Sequence, residues 1–434
     1  MRISTLFYKA LQKAGFRAIL LTMLLALVLP TVALAAAGAL DPTFSKDGKV
    51  VTNVHPTRTD WLYDLAIQSD GKIVAVGISH KTGSRIISVV RYWPGGGLDK
   101  TFSGDGKQFT KLGDAYSEGD GVAIQPDGKI VVSGQSCDAT GWTCDAGVVR
   151  YNTNGSLDTT FSGDGKATVD FGVGDNGSFG GLAIQPDGKI VIAGYMFNGH
   201  NYDMAVYRFD ENGSLDTTFS GDGKAKVGFG KGRQDFARDL VLHPGGEISL
   251  AGFSCDATNK HCNFAVARFM SDGTLDKTFS GNGKLTTNFG AEETCYGAAL
   301  QADGKLVVAG DRNNGSKDKI ALARYNTDGS LDSTFSGDGK QVTAFIWAGA
   351  FDVLVDPSEK IVIAGWAGPD FGVVRYNSNG SLDSTFSGNG KLAVNFGKSE
   401  TATAIALDGD GKYVVGGIKD IGSTEYFALA RILP

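Results

Sequence analysis

From residue 40 to the end, the chain is a succession of short apolar runs separated by turns rich in Gly, Asp, Asn and Pro. One stretch shows the grammar. Lys166 to Phe171, Gly181 to Gln185, Ile190 to Gly194 and Met204 to Phe209 are each too short for a helix and are bounded by turn residues, so each is predicted as a β-strand. Pro186-Asp187-Gly188 stands between two of them. Proline presets φ at the first turn position and glycine accepts positive φ, so this turn joins two antiparallel strands without strain. The unit is therefore four short strands.

That unit recurs. Leu-Asp-x-Thr-Phe begins at Leu40, Leu98, Leu157, Leu215, Leu275, Leu331 and Leu382. Asp-Gly-Lys before an apolar run recurs at Asp70, Asp127, Asp187, Asp303 and Asp410, and is degraded to Gly245-Gly246-Glu247 and Ser358-Glu359-Lys360 in the other two copies. An apolar strand ending in arginine recurs at Arg91, Arg150, Arg208, Arg268, Arg324, Arg375 and Arg431. Four strands in a period of roughly fifty to sixty residues is the pattern of a propeller blade. The expected fold is all-β, a seven-bladed β-propeller of four-stranded blades spanning residues 36–434.

Chain order adds a closure. The repeats open on the outermost type of strand, Lys49 to Asn53, and end on the third type, Phe427 to Ile432. The last blade is thus expected to borrow its fourth strand from the N-terminus, which removes free sheet edges. The runs Gly213-Ser214-Leu215-Asp216-Thr217-Thr218-Phe219 and Gln185-Pro186-Asp187-Gly188-Lys189-Ile190-Val191 resemble those of the delta-60 repeat family. The resemblance covers residues 40–434. It implies a β-propeller exported by bacteria, often as part of a surface or extracellular protein, and no established reaction.

The first residues place Lys9, Lys13 and Arg17 before an apolar stretch, Pro30 and the small-residue run Ala33-Leu34-Ala35-Ala36. This is the plan of a secretory signal over residues 1–35, cleaved after Ala35. An uncleaved membrane anchor is the rival reading; after cleavage no membrane span is expected. A net charge of −6 without a basic stripe disfavours nucleic acid as a partner. The expected setting is secreted, periplasmic or cell-surface, as a monomer.

Cys137 and Cys144 bracket six residues, as do Cys255 and Cys262 in another copy, so two local disulfides are expected. Cys295 has no evident partner. Six of the seven repeat arginines precede the aspartate of Leu-Asp-x-Thr-Phe by eight residues, and the last, Arg431, has its counterpart in Asp41 across the ring closure; pairs such as Arg150 with Asp158 and Arg208 with Asp216 are expected to lock the turn onto the strand. Asn152, Asn154, Asp158 and Asp164 offer oxygens to calcium, yet they form neither the twelve-residue Asp-x-Asp-x-Asp-Gly loop with its distal glutamate nor the nonapeptide calcium repeat, and the same residues are ordinary in turns. No cofactor is expected, and no histidine pair has metal-ligand spacing.

No catalytic constellation stands out. Loops that differ between copies fall on one face of the ring, so function is expected there. Trp142, Tyr195, His200, Tyr202, Asp311, Arg312, Trp347 and Trp366 are the candidate ligand-binding residues, since aromatics among polar groups suit a glycan or peptide. The leading expectation is a noncatalytic binding or interaction module for a glycan, peptide or envelope protein. The alternatives are an extracellular hydrolase or lyase with its site at the central channel, and a purely structural surface protein. Convergence of Asp120, Asp175, Asp235, Asp239 and Asp352 on the channel would favour the enzyme.

Overall fold

The computed structural model describes residues 36–82, 84–113, 116–138, 143–170, 176–315, 318–345 and 348–434; of Asn176 and residues 178–180 only the backbone is described. The signal segment 1–35, together with Trp142, Phe171, Asp175 and Trp347, lies outside these residues.

Seven four-stranded antiparallel blades are present, as the repeat predicts. Their innermost strands are Thr59–Ile67, Tyr116–Ile124, Asn176–Ile184, Gln234–Leu242, Glu292–Leu300, Ala348–Val355 and Glu400–Leu407. Each neighbours the next, and the last neighbours the first, so they enclose a central channel. The third blade begins earlier than its apolar run suggests, at Asn176, and Lys166–Val169 is the outermost strand of the second blade, paired with Cys144–Tyr151. A single parallel bridge between Arg85 and Tyr116 links the first two blades.

Blades hold together at their seams. The buried apolar residues fall into seven clusters, each drawn from two adjacent blades. Each cluster contains the phenylalanine of one Leu-Asp-x-Thr-Phe turn or lies under it, and all seven, from Phe44 to Phe386, are essentially inaccessible to solvent. Burial of that ring gives the turn its energetic role, on the order of 2 kcal/mol per ring.

The last blade is closed by the N-terminal strand Lys49–Thr52, which pairs with Glu425–Ile432 from Lys49 opposite Ala430 to Thr52 opposite Phe427. A backbone bond also circles the ring. The N–H of Ser45, Ser103, Ser162, Ser220, Ser280, Ser336 and Ser387 donates to a carbonyl in the turn of the following blade at 2.6–2.9 Å. For Ser387 the acceptor is Ala37, so the N-terminal segment stands in for the turn that the chain termini interrupt.

Candidate functional site

The repeated face is built from the arginines. The Arg150 Nε donates to Asp158 Oδ2 at 2.7 Å, its Nη1 to the Glu211 carbonyl of the next blade at 2.6 Å, and its Nη2 to Thr160 Oγ1 at 3.3 Å. The guanidinium also lies 4.7 Å from the centre of the Phe161 ring. Arg208 repeats the arrangement with Asp216, Ser271 and Thr218, and Arg431 repeats it across the closure with Asp41, Pro94 and Thr43. Each of the three guanidinium nitrogens donates to protein. At Asp158 burial opposes the charge, but the hydrogen bonds from Thr160 and the Arg150 charge outweigh it and hold the carboxyl down at about 2.

The turn oxygens offered to calcium are also engaged. Asn154 Oδ1 accepts from the N–H and hydroxyl of Ser156, and Asp164 Oδ1 accepts from the Lys166 N–H. Among the described residues no group of three or more His, Cys, Asp or Glu is arranged to hold a metal ion. Disulfides join Cys137 to Cys144 and Cys255 to Cys262, as cysteines do in an oxidising compartment. Cys295 is buried in a seam, and burial raises its thiol far above the ordinary value.

The channel is different, and a glycine explains how. Gly77, Gly134, Gly252, Gly310, Gly365 and Gly417 on the second strands face the inner strands so closely that a Cβ would lie 1.9–2.0 Å from a backbone carbonyl. Opposite each of them the inner strand is bulged. A bulge inserts one residue and re-aims its side chain. The inserted residues are Tyr63, Asp120, Arg238, Tyr296, Phe351 and Thr403, and all six line the channel.

Two cavities share this ring of six. The larger, about 410 Å³, adds Glu118, Thr401 and Ile418. Glu118 and Thr401 stand near the starts of their inner strands, and Ile418 pairs opposite Thr401; these starts come from the loops that differ between copies, so this cavity belongs to the variable face. The smaller, about 100 Å³, adds Asp64, Asp239 and Asp352, one residue further along their strands. Each of those three carboxylates ties two blades together: the N–H of Val122, Ala298 and Ile405 donates to Asp64, Asp239 and Asp352 at 2.7–2.8 Å.

Electrostatics in the channel run opposite to the repeated face. Burial, with the Asp239 charge adding to it, pushes Asp64 up to about 7, and burial pushes Asp239 up to about 6. Burial and then the charges of Asp239 and Asp64 raise Asp352 well above the carboxylate range. Asp120 is raised likewise by burial and then by Glu118, with Arg238 and Arg85 opposing. Its Oδ2 is shut off from solvent and accepts no hydrogen bond from the protein. Glu118 is held by an ion pair with Arg85 and by the Gln135 amide at 3.0 Å. Arg238 lies with its guanidinium 5.3 Å from the Phe253 ring and 5.8 Å from the Tyr296 ring.

The candidates named from sequence scatter. Tyr195 and Tyr202 pack together at 5.3 Å and against Phe236 at 5.4 and 5.2 Å. This aromatic cluster reaches the channel through Phe253, which meets both Phe236 and Arg238. His200 is exposed in its loop, with its N–H donating to Asn198. Arg312 donates to the Phe289 carbonyl at 2.9 Å and so anchors a loop. Asp311 lies half-buried opposite Thr294, and burial with the charge of Asp318 lifts it to about 7. Trp366 pairs opposite Gly349. Of the carboxylates named as a test of the channel, Asp120, Asp239 and Asp352 converge there, joined by Asp64. Asp235 does not: it is buried, accepting from the Phe229 N–H and the Ser254 hydroxyl.

Tyr63, Arg238, Tyr296, Phe351 and Thr403 were not foreseen. A signal for them exists: each stands five residues before the Gln, His or Asp that opens the turn at positions 68, 243, 301, 356 and 408, and the residue at that offset changes from copy to copy.

Comparison with known proteins agrees with the architecture. The family described as a domain of unknown function (DUF5122), beta-propeller, matches residues 68–102, 125–161, 185–219, 263–279, 301–335 and 357–386, so repeats of this kind run across the chain. No protein of curated function matches the sequence. Among solved structures, a catalytically inactive virginiamycin B lyase from Staphylococcus aureus with quinupristin superposes with a TM-score of 0.52 at 13% identity, covering 88% of this chain and 98% of the lyase. A GH93 alpha-L-arabinofuranosidase of Fusarium graminearum with arabinobiose gives 0.48 at 9% identity, covering 89% and 97%. At 13% identity the likeness to the lyase is one of fold.

Proposed function

We propose that this chain is an exported, noncatalytic binding propeller of the delta-60 repeat kind, taking the end of a glycan into the channel mouth on its variable face. The observation that carries this reading is the 410 Å³ cavity, whose lining changes from blade to blade at one inner-strand position while the opposite face repeats. Tyr63, Tyr296 and Phe351 offer ring faces to the apolar side of a sugar, and Glu118, Asp120 and Thr401 offer hydrogen bonds to its hydroxyls. The two disulfides and the signal-like N-terminus support export. Glycan-array binding followed by calorimetry tests the reading. Tyr296→Ala and Phe351→Ala should each weaken binding by about tenfold or more, whereas Trp366→Ala and His200→Ala should weaken it less. Unchanged affinity in both ring variants would move the ligand out of the channel.

One observation favours a second reading, an extracellular hydrolase or lyase. Asp120, which burial keeps protonated at higher pH than an ordinary carboxyl, lies two residues from Glu118 in the same cavity. A protonated acid beside a second carboxyl group is what acid-base cleavage of a sugar chain requires. Product release from a polysaccharide panel, abolished in Asp120→Asn, would establish it; no release from any member would leave the binding reading in place.

A further inference from the structure

Charge in the channel does not balance. Arg85 is taken by Glu118, and Arg238 is the cation nearest in effect to Asp120. Once each guanidinium is set against one carboxyl group, Asp64, Asp239 and Asp352 remain with no cationic side chain among the described lining residues. Their charges act on one another across the channel. The one oxygen of this group that is both sealed from solvent and without a hydrogen bond is Asp120 Oδ2. The rings of Tyr63, Tyr296 and Phe351 line the same cavity as Asp120, and the negative π face of an aromatic ring attracts a cation. An unsatisfied carboxyl oxygen, an excess of carboxyl groups and three rings in one cavity are complementary to a positively charged nitrogen.

We propose that the channel mouth recognises an organic ammonium group, in the form of an amino-sugar unit, with Asp120 as its counter-ion and Tyr63, Tyr296 and Phe351 as the surrounding rings. This rests on the glycan reading above for the sugar and on the lining alone for the charge. Arg238 does not oppose it, since that guanidinium is stacked between Phe253 and Tyr296 and is attracted by Asp120.

Calorimetry on the full chain with three β-1,4-linked disaccharides that differ only at C2 tests the proposal: cellobiose with hydroxyl, chitobiose with ammonium, and diacetylchitobiose with the neutral amide. Tetramethylammonium serves as a cation without sugar. The ammonium disaccharide should bind about tenfold more tightly than the other two, tetramethylammonium should compete with it, and the preference should vanish in Asp120→Asn. Phe351→Ala, which removes a ring and no charge, should weaken binding of tetramethylammonium as well. Equal affinity for all three sugars overturns the ammonium inference and leaves the glycan reading standing. Binding of tetramethylammonium but of no sugar does the reverse, and no binding by any of the four overturns both. An ammonium preference retained in Asp120→Asn removes Asp120 from the site and overturns the proposal as stated.

Discussion

The repeated face and the channel are both built on aspartates, yet they treat the carboxyl group in opposite ways. On the repeated face each aspartate meets a guanidinium, a threonine hydroxyl and a backbone N–H, and the charged form is favoured; Asp158 and Asp383 are held at about 2. In the channel Asp64, Asp239, Asp352 and Asp120 are half-buried with too few cations, and the neutral form is favoured until a cation offsets the charge. Sameness across seven copies goes with a carboxyl group whose charge is met by its neighbours. Difference between copies goes with groups left wanting a partner. A surface that binds something needs the second condition.

The contrast can be broken most forcefully at an arginine. Arg150→Ala leaves the buried Asp158 with only the more distant Lys129 ammonium, at 3.4 Å, and removes the bond to the next blade, so urea unfolding should show a loss of about 3 kcal/mol. Phe351→Ala, at the channel, should cost far less, since its ring borders a cavity. A channel substitution more damaging to stability than the arginine would reverse the assignment of scaffold and site.

Replacing Cys137 and Cys144 together by serine removes a short covalent loop and should lower stability by about 2 kcal/mol, as measured by thermal unfolding with and without reductant. The effect should stay within its own blade and leave channel binding unchanged.

Titration sharpens the comparison further. A carboxyl group raised in the folded state favours folding at low pH, and this contribution fades as pH climbs from about 4 through 6 to 7, the folded values of Asp239 and Asp64. A group lowered in the folded state favours folding above about 4, and this is lost as pH falls toward 2, the value of Asp158. Asp64→Asn should therefore flatten the decline in stability between about pH 4 and pH 7, by on the order of 1 kcal/mol because channel water screens the group. Urea midpoints across that window would show it. The acid limb below pH 4 should be untouched.

The smallest effect is expected at Thr403, whose hydroxyl donates to the Leu62 carbonyl at 2.8 Å across the seam between the last and first blades. Thr403→Ala should cost about 1 kcal/mol in chemical unfolding. A loss as large as that of Arg150→Ala would show that this seam, unlike the others, depends on the channel.

The fold was legible because every copy restates it. Turn residues, apolar runs and the eight-residue offset between Arg150 and Asp158 each recur, and the offset places both on the seam that the structure shows. The channel ring was not legible from residue type, since Tyr63, Arg238 and Phe351 have nothing in common as side chains. What they share is a bulge, and the bulge is dictated by a glycine on the neighbouring strand, such as Gly252 facing the Phe236 carbonyl. That glycine reads in the sequence as one more turn or gap residue. Tyr195 and Tyr202 were found by type and do reach the channel rim through Phe236 and Phe253, whereas Arg312, found the same way, is engaged by the Phe289 carbonyl. Polar side chains on loops cannot be sorted into binders and anchors until their partners are seen.

The pairing of Lys49–Thr52 with Glu425–Ile432, and of Asp41 with Arg431 some 390 positions away, also orders events in time. The first strand made at the ribosome is the last to find its place, so an open arc with two exposed seam faces must precede the ring. Contacts so distant in sequence form slowly and leave such intermediates prone to association. Export of the unfolded chain, as proposed above, would remove part of that hazard, because folding would begin with both ends already present.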